Sequence, residues 1–116
     1  MTEIGDNELF RLDTEFKAAY AAMDAAADRV DELEGLFQKT GHRHFHDDML
    51  AAELKQDRLT EATEAIAREI LATRASTPAG MMVKLRVNDT WDGTYEDDEL
   101  LASFIADIRA AAGGVS

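Results

Sequence analysis

The chain has 116 residues and contains no cysteine, one proline, and only 12 lysines and arginines against 24 aspartates and glutamates. The missing cysteine excludes disulfides, thiol nucleophiles, iron–sulfur clusters and cysteine-ligated zinc. Isoleucine and valine are scarce, and apolar residues seldom alternate strictly, so a strand-rich fold is not expected. Long apolar runs are also absent, and the N-terminal stretch is acidic (Glu3, Asp6, Glu8). Neither a membrane-spanning helix nor a secretory signal is therefore predicted. The shortage of bases leaves a formal charge of −12. Direct binding to nucleic-acid phosphates or to an anionic membrane needs a positive field and is not expected. A cytoplasmic protein is predicted, whose charged partner, if it has one, is basic.

What the chain does have is alanine, which supplies 20 of the 53 apolar residues. Small side chains let helix axes approach closely, and the length fits one helical domain over residues 1–116. Leu9, Leu12, Phe16, Ala19, Met23, Ala26, Val30, Leu33 and Phe37 recur at alternating steps of three and four. That is the seam of a long amphipathic or coiled-coil helix over about residues 7–39. Asp6 stands where an N-cap belongs, Gly41 where a helix stops, and Gly35 weakens the last turn. Phe45, Met49, Ala52, Leu59, Ala62, Ile66 and Ile70 predict a second helix over about 45–74, interrupted near Gln56. A short link over residues 40–44 would fold the two into an antiparallel hairpin.

Thr77 followed by Pro78 reads as an N-cap and a first helical position, opening a third helix over about 78–88 with Met81, Met82 and Leu85 on its apolar side. A turn over 88–93 leads to a last helix over about 95–112, with Thr94 and Asp97 as a variant capping box. Its expected core face is Leu100, Leu101, Phe104, Ile105 and Ile108, and Gly113-Gly114 ends it. The predicted fold is all-α, a long antiparallel helical hairpin with two shorter helices packed on it.

The run from Ala65 to Val87, AIAREILATRASTPAGMMVKLRV, together with the helix Leu100–Ile108, resembles a group of small uncharacterised acidic helical bacterial proteins. These share an "ILAT…T…AG…KLR" joint and often sit in prophage or other mobile-element regions. The resemblance covers about half the chain and implies no activity or site. The joint has a physical sense of its own: Thr77 caps a helix and Gly80 lets a neighbouring backbone come close.

Three segments could carry chemistry. His42, His44 and His46, followed by Asp47 and Asp48, are the densest set of metal-ligand side chains, able in principle to hold zinc, nickel or copper. Their spacing matches no established metal motif, and a polar link in which His44 or Asp47 caps the second helix explains them equally. Asn88–Glu99 has the outline of a calcium loop, with Asp92, Gly93, Glu96 and Glu99 at matching offsets, but Asn88 and Thr90 replace expected acids. An Asp-Gly turn before an acidic helix start is the simpler account. Trp91 and Tyr95 could anchor a basic partner or fold back over the helix ends.

No phosphate loop, nucleophile elbow or HExxH pattern is present, and adjacent acids such as Asp47 and Asp48 diverge on a helix. No catalytic residue and no cofactor are therefore expected. The function anticipated is a non-enzymatic protein-interaction module, with homodimerisation through the first seam. The alternatives are an acidic nucleic-acid mimic that blocks a DNA-binding protein, and a small metal-responsive protein using His42–Asp48 or Asn88–Glu99.

Overall fold

A computed structural model describes residues 6–91 and 102–110. Among these residues every regular element is helical: α1 (Asn7–Thr40), α2 (Arg43–Ala72), α3 (Pro78–Thr90) and α4 over residues 102–110. α1 and α2 form the expected hairpin, and the shorter helices pack on it. The link is shorter than expected, only residues 41–42, because α2 begins at Arg43. Gly41 adopts φ 70°, a left-handed conformation that costs glycine little, and its N–H donates to Phe37 O at 2.7 Å. The expected helix stop is thus in place.

The chain divides into two compact units, Lys17–Thr63 on one hand and Met1–Phe16 with Glu64–Ser116 on the other. The first unit is the turn end of the hairpin. Ala26 and Leu33 are buried there, and Ala19, Met23, Val30 and Phe37 are half-buried, so the α1 seam faces inward as its spacing predicts. α2 runs through Gln56 without a break. The interruption seen in the apolar pattern is chemical rather than geometric, because Gln56 is half-buried and Thr63 fully buried. The inward side of α2 therefore follows 52, 56, 59 and 63, and Ala62 is exposed. Thr63 is tolerated inside because its hydroxyl donates to Leu59 O at 2.7 Å within its own helix. Alanines leave an open, shallow groove of about 360 Å³ lined by Ala22, Ala25, Ala26, Ala52 and Leu59, with Arg29 and Lys55 at its rim.

In the second unit Leu9, Leu12, Phe16, Ala67, Ile70, Ala75, Val83 and Val87 form the core. The joint over residues 73–77 is non-helical, so its amides need acceptors outside any helix. Asp6 provides two of them. Its carboxylate is only 3 % exposed and accepts Ser76 N–H at 2.7 Å, Thr77 N–H at 2.9 Å and the Thr77 hydroxyl. Asp6 precedes α1 where an N-cap belongs, but its side chain serves the start of α3 instead. Three donors at the joint outweigh what a single α1 amide offers. Thr77 is the expected N-cap of α3, with φ −131° and ψ 160°, accepting Gly80 N–H at 3.2 Å.

Gly80 admits a side chain, not the neighbouring backbone expected from the sequence. A Cβ at this position would lie 2.5 Å from Asp6 Oδ2 and 2.9 Å from its Cγ. Because the carboxylate is pinned by three donors, it has little room to yield. Gly80→Ala should therefore destabilise the fold by about 1–3 kcal/mol, even though alanine favours a helix interior by about 1 kcal/mol. With Asp6→Ala in place, the same substitution should become neutral or stabilising. Urea unfolding of the four-member cycle measures this, and an equal effect of Gly80→Ala in both backgrounds would refute the contact.

Candidate functional site

The two short helices bury residues that their apolar pattern does not single out. α3 buries Gly80, Val83, Lys84 and Val87, at the spacing of one helical face. Of Met81, Met82 and Leu85, the apolar side expected for this helix, Met82 is 56 % exposed and Leu85 37 % exposed. In α4 the buried residue is Asp107, while Ile105 and Ile108 are exposed and Phe104 half-buried. Leu100, Leu101, the capping box Thr94 and Asp97, and Gly113-Gly114 lie outside the described residues.

Charge pairing accounts for the difference. Lys84 and Asp107 are each only 1 % exposed, and Lys84 Nζ meets Asp107 Oδ2 at 2.8 Å. Lys84 also donates to Ser103 Oγ at 2.8 Å, and the Ser103 hydroxyl in turn donates to Leu71 O at 3.0 Å. Asp107 Oδ1 accepts Ala75 N–H at 3.0 Å, with Arg74 Nε at 3.5 Å. A buried carboxylate without a cation would be far too costly, so α3 must present Lys84 where α4 presents Asp107. A second carboxylate of α1, the buried Asp13, pairs with Arg86. Lys84 and Arg86 both belong to the KLR part of the joint, so each has a structural partner.

With Lys84 and Asp107 turned inward, several large apolar side chains are left outside. Met81, Met82, Leu85, Phe104 and Ile108 line a shallow groove of about 240 Å³. The sequence does not point to this groove: Phe104 and Ile108 are expected there in a core face, and Met81, Met82 and Leu85 only as an apolar side. One signal could have revealed it: Gly80, Val83 and Val87 are the compact residues of α3 and share one face, as a close helix contact requires.

The sequence-derived candidates are arranged as follows. His44 and His46 lie in the first turn of α2, and His42 in the link before it. His42 and His44 stack with ring centroids 5.7 Å apart, and His44 lies 4.1 Å from the Phe45 ring. His46 instead packs on Phe37 at 5.2 Å, and its buried Nδ1 has no hydrogen-bond partner. Among the described residues, no three His, Asp or Glu side chains are grouped to hold a metal ion. Of the Asn88–Glu99 loop, Asn88 and Asp89 belong to α3, whereas Asp92, Gly93, Tyr95, Glu96 and Glu99 lie outside the described residues. Trp91 ends α3, donating its N–H to Val87 O at 2.9 Å, and its ring meets Phe16 edge-on at 6.3 Å. It folds back over its own unit. No described helix is long and apolar enough to cross a membrane.

No family model, curated protein or solved structure matches the chain.

The Lys84–Asp107 pair yields a direct test. Lys84→Met leaves a buried carboxylate short of its cation and should cost about 3–5 kcal/mol in unfolding free energy, as should Asp107→Leu. The double variant Lys84→Met/Asp107→Leu should recover about 2 kcal/mol or more relative to the sum of the single effects. Additive losses in denaturant unfolding would mean that the two side chains act independently.

Proposed function

We propose that this chain is a non-enzymatic protein-interaction module whose contact surface is the apolar face of α3 and α4. One observation carries the proposal: the exposed Met82, Leu85 and Ile108 line one groove, on helices that the buried Lys84–Asp107 pair holds together. A contiguous apolar patch on such a support marks an interaction site more often than a surface left to chance. Its resemblance in the joint to proteins of mobile-element regions suggests the biological setting. A chain without cysteine also suits the reducing cytoplasm.

The structure lends less support to the other functions. Nucleic-acid mimicry needs acids displayed together at phosphate-like spacing. Here Asp6, Asp13 and Asp107 are buried, and Glu8, Glu15 and Glu32 pair with Arg11 or Arg29. A metal-responsive role for His42, His44 and His46 would require His46 to leave Phe37. The α1 seam that motivated a homodimer faces inward within each unit, which lends less support to dimerisation through that seam.

A photo-crosslinking residue placed at Met82 or Ile108 should capture a discrete protein in host extract. The same residue at Leu54, a 60 % exposed leucine of the other unit, should not. Capture at Leu54 alone, or at none of the three, would contradict the assignment of this face.

A further inference from the structure

We infer that the occupant of the α3/α4 groove is a basic amphipathic helix of another protein; this rests on the interaction role proposed above and specifies the partner's chemistry. The groove is formed along two adjacent helices by Met81, Met82, Leu85, Phe104 and Ile108. A cleft between two helices accepts the ridge of a third, and a helical ligand presents apolar residues at matching steps of three and four. The two methionines are unbranched and adapt to the side chains that enter.

Charge decides the polar side of the ligand. The unit holding the groove, Met1–Phe16 with Glu64–Ser116, carries fourteen acids and six bases. Four of those bases are already engaged by its own carboxylates: Arg11 with Glu8 and Glu15, Arg74 and Lys84 with Asp107, and Arg86 with Asp13. The excess negative charge therefore has few cations of its own to neutralise it. Asp89 is exposed, and it follows Met82 by seven residues and Leu85 by four, which puts it on the groove side of α3. The ligand's cations should therefore gather towards Asp89. A second copy of this chain is the poorer occupant, because it would bring an equally acidic unit into contact.

The test uses the full chain and synthetic probes of about 18 residues, roughly five helical turns. One peptide of leucine and lysine has all leucines on one helical face, the second is its scramble, and the third replaces lysine by glutamate. Calorimetric titration at about 0.1 M salt should show micromolar binding of the first peptide only. Met82→Gln/Ile108→Gln should weaken it at least about tenfold, Asp89→Asn should weaken it about two- to fivefold, and Leu54→Gln should leave it unchanged. Equal binding of the scramble, preference for the glutamate peptide, indifference to Met82→Gln/Ile108→Gln, or no binding at all would overturn the inference. So would a wild-type dimer in sedimentation that Met82→Gln/Ile108→Gln dissociates, since a second copy would then fill the groove. Crosslinking at Met82 to a partner without a basic helix would leave the interaction role standing and refute only the partner's chemistry.

Discussion

The buried pair between Lys84 and Asp107 is the constraint from which the packing of the short helices follows. Between α2 and α3 the chain leaves helical geometry, and Ala75, Ser76 and Thr77 present three consecutive amides that no helix satisfies, the first of them buried. Asp107 accepts the first and Asp6 the next two. A carboxylate brought in for that purpose needs a cation, and Lys84 supplies it from α3. Once Lys84 must point inward, the residues around it on that face have to be compact, and Gly80, Val83 and Val87 are. Met82 and Leu85 are thereby turned outward. An unsatisfied backbone at a joint thus determines which side of two helices meets solvent.

The hairpin was legible in the sequence because its signal is periodic and local. Nine positions of α1 at steps of three and four leave little freedom, and Gly41 closes the helix with the one backbone conformation that favours glycine. The continuity of α2 was harder to read. Gln56 and Thr63 are polar side chains on the inward face, and an apolar count treats them as breaks although Thr63 satisfies its hydroxyl within the helix. The short helices are hard to read for a related reason: Met82, Leu85, Ile105 and Ile108 are exposed, and the pair that turns Lys84 and Asp107 inward joins positions 23 residues apart. Nothing local announces such a pair. Asp6 is similar, since its place before α1 suggests a cap while its partners lie 70 and 71 residues away.

This arrangement explains why the joint carries its particular residues and why the exposed face is usable. Thr77 caps, Gly80 makes room for Asp6, Lys84 neutralises Asp107 and Arg86 holds Asp13. Each ties α3 to another part of its unit. The apolar groove on the far side is consequently presented by helices whose orientation is fixed before any partner arrives, which lowers the ordering cost of association. The histidine-rich turn has no comparable support, because its rings contact one another and Phe37 or Phe45 at the hairpin end.

Native-state hydrogen exchange at the joint tests this dependence most directly. Amides of an irregular segment ordinarily exchange through small local openings. If Asp6 and Asp107 hold the joint as the hydrogen bonds indicate, the amides of Ala75, Ser76 and Thr77 will be as protected as the buried amides of Val83 and Val87, exchanging only when the whole unit opens. Exchange of these three amides at the rate of an exposed loop, with Val83 and Val87 still protected, would show that the carboxylates do not govern the packing of the short helices.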